Sequence, residues 1–166
     1  MQLDAVCSLL MLGRTYDSQV CSVAGSLEVI GERWTLLIVR DAFMGARRFE
    51  HFQRRTGAAR NVLANRLNLL VEEGIFRKVA YQEHPVRYEY RLTEKGIDLW
   101  PVIVSLLQWG DRYIYPGRAP VLLVHKKCGG AVNDHRICET CGVHLSARDV
   151  EARQGIGGGM VPAGAV

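Results

Sequence analysis

Apolar residues between positions 22 and 113 recur mainly at spacings of three and four, a pattern typical of amphipathic helices. The pattern predicts helices over residues 22–30, 32–44, 49–56 and 60–73, and then a long helix ending near Tyr113. Each of the first four is followed by a glycine that can end it. Thr93 is a suitable N-cap for the long helix, and Pro101 inside that helix is expected to produce a kink.

The second and third predicted helices supply aromatic residues to the expected core. The inward-facing residues of the second helix are Trp34, Leu37, Ile38 and Phe43. Trp34 is expected to be the anchor of this core, and Phe49 and Phe52 of the third helix are expected to be buried.

The fourth predicted helix has two chemically different faces. Its apolar stripe consists of Leu63, Leu67, Leu70 and Val71. The opposite face carries Arg60, Asn61, Asn65 and Asn68, with Arg66 on its flank. Arginine can hydrogen-bond guanine edges and asparagine adenine edges in a DNA major groove, which is wide enough to admit a helix. We therefore predict that the third and fourth helices form a helix-turn-helix.

Two β-rich segments follow this unit. Residues 76–81 and 86–92 alternate in polarity and are separated by a turn over 82–85, which predicts a hairpin. One face of the second strand carries Val86, Tyr88, Tyr90 and Leu92, and the other carries Arg87, Glu89 and Arg91. A hairpin with a basic outer side can lie along a minor groove or a phosphate backbone, as the wing of a winged helix does.

The charge distribution agrees with this interpretation. The chain has 166 residues and a net charge of +4, and residues 40–92 hold eleven Lys or Arg against six Asp or Glu. More than the whole excess of positive charge therefore lies in the predicted helix-turn-helix and wing, as a phosphate-binding surface requires. A solvated basic face with no partner is the alternative.

Several classes of protein do not fit the sequence. No apolar run approaches the roughly 20 residues that span a membrane, and residues 1–14 lack the basic start of a secretory signal. We therefore expect a cytoplasmic protein. The chain has no Gly-rich phosphate loop, no nucleophile elbow and no carboxylates paired for acid–base work, so we do not expect an enzyme.

The long helix carries more apolar surface than a small winged domain needs to cover. Its apolar residues are Ile97, Trp100, Ile103, Val104, Leu107 and Trp109. We interpret the surplus as a dimer interface, formed together with the N-terminal segment. The alternative is a helix packed entirely within one subunit.

After residue 120, the chain contains a cluster of cysteines and histidines. His125-x2-Cys128 and Cys138-x2-Cys141 form two facing pairs, and tetrahedral zinc accepts three Cys and one His. His135 or His144 could replace His125 as the fourth ligand. We hypothesise a structural zinc ion in a short β module, because so small a module has too little apolar core to be stable without a bound metal or a similar cross-link. The alternatives are a metal-free remnant that keeps its fold and a thiol pair that oxidises.

The predicted organisation has four parts. Residues 1–20 are an N-terminal segment, in which Met11 could equally be the true start. Residues 21–119 form the DNA-binding and dimerisation domain, 120–153 a zinc-ribbon-like module, and 154–166 a Gly-rich tail expected to be disordered. The fold class is mainly α with a small β wing, a winged helix-turn-helix dimer with a short C-terminal β module.

Ordered motifs over residues 15–112 resemble the HxlR-type transcriptional regulators, bacterial winged helix-turn-helix proteins related to the MarR group. The motifs are a Cys before the first helix, GERWTLLIVRD, RRF, LANRL, EEG and YRLTEKG. The resemblance implies a homodimer on a palindromic double-stranded DNA operator, acting as a transcriptional regulator and most simply as a repressor. The resemblance thus implies a regulator and not an enzyme, with the module at the C-terminus as an extension.

The resemblance also implies roles for individual residues. The helix that contacts bases or backbone carries Arg60, Asn61, Asn65 and Arg66. Arg87 would be the wing contact, and Arg48 would lie near the backbone. The family usually has Ser or Thr before this helix, but here Ala58 and Ala59 precede it, so capping should be weaker by about 1 kcal/mol.

Cys21 stands where some family members sense quinones, aldehydes or hypochlorite, so an oxidant or small-molecule inducer is one implication. A cysteine near a helix N-terminus can have a lowered pKa, which favours the reactive thiolate. The alternative is a half-buried cysteine kept for packing. A second sensing cysteine is not evident between residues 45 and 60.

Two other functions compete with the regulator. A protein-interaction adaptor could reuse the winged fold, with the zinc module as its docking surface. A redox enzyme built on Cys138-x2-Cys141 is disfavoured, because no strand-to-helix pattern of a thioredoxin-type site surrounds the pair.

Overall fold

The computed structural model describes residues 20–158, and the chain divides into two compact units, residues 1–32 and 33–166. In the first unit, helix α1 spans Ser22–Ile30 as predicted, with Cys21 as its N-cap. Except for Val20, the predicted N-terminal segment 1–20 and the alternative start at Met11 lie outside the described residues.

The second unit begins with three helices, α2 (Thr35–Phe43), α3 (Phe49–Thr56) and α4 (Arg60–Glu72). Gly57 ends α3 with φ +70° and Gly74 follows α4 with φ +68°. Both lie in the left-handed region that glycine adopts without a steric cost, so the predicted ends of these helices are confirmed at these positions.

The core of this unit lies between the apolar stripe of α4 and the wing. Its fully buried large apolar residues include Ile38, Phe52, Leu63, Leu67, Leu70, Ile75 and Phe76. The ring of Phe52 lies 6.0 Å from that of Phe76 and 6.3 Å from that of Tyr90, with tilted or edge-on geometry that favours aromatic pairs.

The prediction for α2 was wrong in its orientation. Trp34 is the N-cap of the helix and is only half-buried, with the guanidinium of Arg33 5.1 Å above its ring. Leu37 and Phe43 are also half-buried, whereas Thr35 and Asp41 are buried. The buried face is rotated by about one residue from the prediction, so the inward stripe runs through Thr35, Ile38, Val39, Asp41 and Ala42 and keeps only Ile38 of the predicted residues.

The wing is an antiparallel hairpin of β1 (Phe76–Glu83) and β2 (Val86–Leu92), and β1 is two residues longer than predicted. A register shift between Ala80 and Gln82 accommodates the extra length. The amide of Tyr90 donates to the carbonyl of Arg47 at 2.6 Å, which joins the wing to the segment between α2 and α3.

The long helix after the wing is divided, contrary to the prediction of one kinked helix. Helix α5 spans Glu94–Ile97 and α6 spans Trp100–Tyr113. Thr93 caps α5 as predicted, because its hydroxyl accepts a hydrogen bond from the amide of Gly96. Pro101 lies in the first turn of α6, where its missing N–H costs no helical hydrogen bond, so it starts a helix and does not kink one.

The C-terminal module, residues 120–158, is built on an antiparallel pair of strands, β3 (Val121–His125) and β4 (Val150–Gln154). Gln154, where the sequence places the start of a tail, is the last residue of β4. The amide of Gly155 donates to Pro120 and that of Gly157 to Ala119, so hydrogen bonding continues beyond the strand. Residues 159–166 of the expected tail lie outside the described part.

The module packs against the winged domain through a shared apolar cluster. Its buried members are Trp100, Val104, Cys138, Leu145 and Val150, with Phe43 packed against them. The sequence left two alternatives for the surplus of the long helix, a dimer interface or packing entirely within one subunit. The C-terminal module of the same chain covers part of that surface, which agrees in part with packing within one subunit.

Candidate nucleic-acid interface and metal centre

The exposed face of α4 carries a row of hydrogen-bond donors. Arg60, Asn61 and Asn65 are exposed on the side opposite the buried leucines, as predicted. The guanidinium of Arg60 lies 4.8 Å from the centroid of the Phe49 ring, a cation–π distance that holds the side chain beside the turn. Ala59 is the N-cap and makes no side-chain capping bond, so the amides at this end of α4 lack a capping side chain.

Two other polar residues of α4 are less available than the sequence suggested. Arg66 is half-buried and its Nε is fully buried. The side-chain oxygen of Asn68 accepts a hydrogen bond from Lys78 of β1 at 3.1 Å. The link between Asn68 and the wing was not predicted, because it joins residues ten apart through tertiary structure.

The wing region has one exposed arginine near the turn of the hairpin and another arginine held against its side. Arg87 is exposed and pairs in register with Gln82, near the turn of the hairpin. Arg48 lies 4.1 Å above the ring of Tyr81, and its Nε lies 3.4 Å from Glu89. Hydrogen bonding from Arg91, and then from Arg48, lowers the pKa of Glu89, so this carboxylate stays ionised between the two guanidiniums. Arg48 is therefore fixed at the side of the wing.

Cys21 is exposed at the start of α1 in the first unit. The nearby amides of Ala24 and then Val23 lower the pKa of its thiol, although neither makes a capping hydrogen bond to the sulfur. This is the expected effect of a helix N-terminus, whose free amides stabilise a thiolate.

Four residues of the C-terminal module bring their ligand atoms together. Nδ1 or Nε2 of His125 and the sulfurs of Cys128, Cys138 and Cys141 all lie within 4.8 Å of one another. His125 Nδ1 lies 3.2 Å from the sulfur of Cys128 and 3.3 Å from that of Cys141. The sulfur of Cys128 lies 3.4 Å from Cys138 and 3.7 Å from Cys141.

These separations fit a tetrahedral ion. Zinc–sulfur bonds of about 2.3 Å and zinc–nitrogen bonds of about 2.0–2.1 Å place tetrahedral ligand atoms roughly 3.5–3.8 Å apart. The same sulfurs are well beyond the roughly 2.05 Å of a disulfide, and all three cysteines are free. This Cys3His cluster could hold a metal ion, whereas His135 and His144 are not part of it.

Two turns with the same geometry present the ligands. Gly129 follows Cys128 with φ +72°, and Gly142 follows Cys141 with φ +72°. The amide of Gly129 donates to the carbonyl of His125 at 2.7 Å, and that of Gly142 donates to Cys138 at 2.9 Å. Each glycine thus closes a turn over the first ligand of its pair, which aims both ligands at one point.

Cys138 links this cluster to the apolar core beneath it. It is 1% exposed and belongs to the cluster that contains Trp100 and Leu145. Burial raises the pKa of its thiol, but the amides of Cys141 and Thr140 and the neighbouring thiols lower it more strongly, to about 6. The residue is therefore predisposed to the thiolate form that ligates metals.

Within the described residues, no helix is both long enough and apolar enough to cross a lipid bilayer.

The HxlR-like helix-turn-helix family matches residues 29–118, more than half of the chain. The uncharacterised HTH-type transcriptional regulator Rv3095 of Mycobacterium tuberculosis is 48% identical over 137 residues, which are 82% of this chain and 87% of the relative.

Solved structures agree with this match. The crystal structure of PA1607, described as a transcription factor, is 42% identical and covers 80% of this chain and 94% of its own, with a TM-score of 0.65. The redox regulator HypR in its oxidised form is 31% identical and covers 55% of this chain and 96% of its own, with a TM-score of 0.52. These relatives are regulators and not enzymes, and the predicted winged helix-turn-helix fold is confirmed. The chain belongs to the HxlR-like helix-turn-helix family of transcriptional regulators.

Proposed function

We propose that this regulator binds a palindromic operator as a homodimer and represses transcription from it. The observation that supports the proposal is the exposed donor row of α4 beside a basic wing. Arg60, Asn61 and Asn65 would read base edges in the major groove, where arginine and asparagine form bidentate pairs. Arg66, on the flank and half-buried, would contribute to the backbone side of the same helix.

The wing would supply phosphate contacts. Arg87 is exposed near the turn of the hairpin and would reach DNA flanking the groove that α4 enters. Arg48 is held against Tyr81 and Glu89 and would lie near the backbone. Such contacts position the protein without reading sequence.

A second copy of the chain is the proposed partner of α6. One side of this helix exposes Val102, Leu106, Trp109 and Tyr113, at successive spacings of four, three and four residues. Trp109 is 56% exposed, and its ring lies 5.5 Å from that of Tyr113. A contiguous aromatic and aliphatic stripe is characteristic of the centre of a homodimer interface.

Binding of the purified protein to its own upstream intergenic DNA tests the proposal. We expect fluorescence anisotropy to show sequence-preferring binding with two subunits per duplex, and affinity that falls steeply as salt rises. A scrambled duplex is the control. Absence of binding to either duplex at low salt would contradict the proposal and would favour the protein-interaction adaptor.

We infer that the Cys3His cluster holds a structural zinc ion. Three thiolates and one imidazole form a closed tetrahedral set with no position left for substrate. His125, Cys128, Cys138 and Cys141 would hold the ion, which would join the two ends of a module that has only two short strands.

We also propose that Cys21 responds to oxidants. The thiol is exposed, its pKa is lowered by helix amides, and the similar protein HypR is described as a redox regulator. Oxidation of the thiolate by a peroxide or hypochlorite would form a sulfenic acid, in which sulfur is oxidised and the oxidant is reduced to water or chloride.

A further inference from the structure

A pocket of about 220 Å³ lies between the base of the wing, α2 and the C-terminal module. Four arginines line it: Arg47, Arg77, Arg91 and Arg148. Phe43 and Leu92 contribute an apolar part of its wall. No residue proposed above as a DNA or metal contact lines the pocket, so its concentration of guanidinium groups requires a separate explanation.

Two of the arginines are directly opposed across the wing. Arg77 on β1 and Arg91 on β2 are register partners, so their side chains emerge on the same face. Opposed residues of an antiparallel pair have Cβ atoms about 4.5–5.5 Å apart, and like charges at such positions are destabilising. Negative charge at the same place would offset this repulsion.

The carboxylates that contact these arginines do not balance them. Glu89 binds Arg91 at 3.0 Å, and Glu94 binds Arg148 at 3.1 Å. Among the described residues, neither Arg47 nor Arg77 forms a salt bridge with a carboxylate, although Glu89 attracts Arg47 electrostatically. Four guanidiniums against two carboxylates leave two positive charges on the lining of one pocket.

Arg47 is held in place by backbone groups. Its Nη1 donates to the carbonyls of Ala42 at 2.6 Å and Ala46 at 3.0 Å, and the side chain is half-buried. Burial lowers the pKa of this guanidinium, the positive charge of Arg91 lowers it further, and the negative charge of Glu89 offsets part of the shift. The group is therefore fixed and repelled by its neighbour, a state that a bound anion would relieve.

We propose that this pocket binds a phosphate group. Guanidiniums match phosphate oxygens in geometry and form paired, charge-assisted hydrogen bonds. The two unbalanced positive charges match the roughly −1.5 to −2 charge of a phosphate monoester at neutral pH. The phosphate belongs either to a free phosphorylated small molecule, whose monoester balances both charges, or to the backbone of bound DNA, where each phosphodiester carries a single negative charge.

The site is distinct from the wing contact proposed above. Arg91 lies four residues from Arg87 along β2, which is about 14 Å at the usual rise of a strand. Arg148 comes from the C-terminal module, beyond residues 29–118 that match the family. The pocket is therefore completed by the extension of this chain and is not formed by the winged domain alone.

Calorimetric titration of the whole protein with potassium phosphate at pH 7.5, against potassium chloride of equal ionic strength, tests the proposal. We expect saturable binding to the wild type that Arg77→Gln weakens by about tenfold, the loss of one charge-assisted contact. Arg118→Gln changes an exposed arginine outside the pocket and should leave binding unchanged. Arg77→Gln should fold, because Arg77 is exposed and its removal relieves a repulsion.

Repeating the titration on the DNA complex distinguishes the two sources. If a free phosphorylated molecule is the ligand, phosphate binding persists on the complex. If the DNA backbone supplies the phosphate, saturating duplex abolishes the titration, and Arg77→Gln reduces the salt slope of DNA binding by about one.

Either result on the DNA complex supports the site. A wild-type titration equal to the chloride control would overturn it, and so would an Arg77→Gln affinity within about threefold of the wild type. The first titration contains no DNA, so its failure would leave the proposed operator binding untouched.

Discussion

Individual side chains on α4 differ in how freely they can meet DNA. Arg60 stacks on Phe49 and remains exposed, Asn65 is exposed, and Asn68 is engaged by Lys78. We expect Arg60→Ala combined with Asn65→Ala to abolish discrimination between operator and scrambled DNA. Two bidentate contacts of about 1–3 kcal/mol each would be lost, roughly a hundredfold or more in specific affinity.

Competition anisotropy with both duplexes measures this loss, and sedimentation should show an unchanged oligomer. Asn68→Ala is the matched control on the same helix, because its amide already contacts Lys78 and should contribute less to base reading. Unchanged specificity in the double variant would show that α4 is not the reading helix.

Cys21 offers a second prediction at the scale of one residue. Because its pKa is lowered, more of it is thiolate at a given pH, and its alkylation rate should rise through a lower pH than in the unfolded chain. The tryptic peptide of residues 15–33 contains Cys21 as its single cysteine, so mass spectrometry after iodoacetamide treatment can report it alone.

The functional consequence needs the operator. We expect hydrogen peroxide or hypochlorite to weaken DNA binding by the wild type and to leave the Cys21→Ser variant unaffected, while both bind equally in reducing buffer. If the treated wild type keeps its full affinity, Cys21 is not the sensor.

Helix α4 begins without a capping side chain, and this defect can be repaired. Ala59 has the extended backbone of an N-cap, with φ −59° and ψ 143°, and is exposed. Ala59→Ser should raise the free energy of unfolding by about 1 kcal/mol, because its hydroxyl can accept a hydrogen bond from a free amide of the first turn.

Urea unfolding followed by circular dichroism measures the change. Ala64→Ser makes the same substitution in the interior of the helix, where serine has a lower helix propensity than alanine, so stability should fall there. Equal effects of the two substitutions would contradict the capping explanation.

The proposed zinc site makes the stability of the C-terminal module depend on metal binding. We expect about one zinc ion per chain, and removal by a strong chelator should unfold the module and lower the melting temperature. Cys141→Ser should abolish zinc binding, since Cys141 is an exposed ligand outside the apolar core and its loss acts through the metal.

Cys21→Ser is the control, because it removes an exposed cysteine outside the cluster and should retain zinc. Metal content by atomic spectroscopy and melting by calorimetry give the result. A fully folded module without metal in the wild type would favour the metal-free remnant.

Local pattern predicted the elements well and their tertiary contacts poorly. The apolar stripe of Leu63, Leu67 and Leu70 correctly predicted both the helix α4 and its buried face, because apolar residues spaced at about 3.6 lie on one side of a helix. Trp34 was misplaced because packing against α3, α4 and α6 decides which face of α2 is buried, and periodicity alone left that face uncertain by one residue.

In the candidate sites too, local spacing was predictive and tertiary contacts were not. The spacing of His125, Cys128, Cys138 and Cys141 predicted which atoms would meet, since metal-ligand turns are local. The packing of Cys138 against Trp100 and the pocket between Arg77 and Arg148 join distant segments, and periodicity carries no signal for such contacts. Pro101 was misread because its position relative to the start of α6 decides whether it breaks or begins a helix.

Helix α6 carries an apolar surface that the other described residues of the second unit leave uncovered. The C-terminal module covers one side of α6, whereas Leu106 remains 50% exposed and Trp109 56% exposed on the other. We expect Trp109→Glu to produce a monomer at concentrations where the wild type is a dimer, because a buried unpaired carboxylate at an interface centre is strongly unfavourable.

Sedimentation velocity measures the oligomeric state, and Val143→Glu is the control, since it places the same charge on an exposed apolar residue outside α6. Both variants should keep the wild-type circular dichroism spectrum. A dimer reads two half-sites about 34 Å apart on one face of the duplex, so the Trp109→Glu monomer should also lose most of its operator affinity. A Trp109→Glu protein that remains dimeric would place the interface elsewhere, and one that is monomeric yet binds the operator fully would show that a single winged domain suffices for recognition.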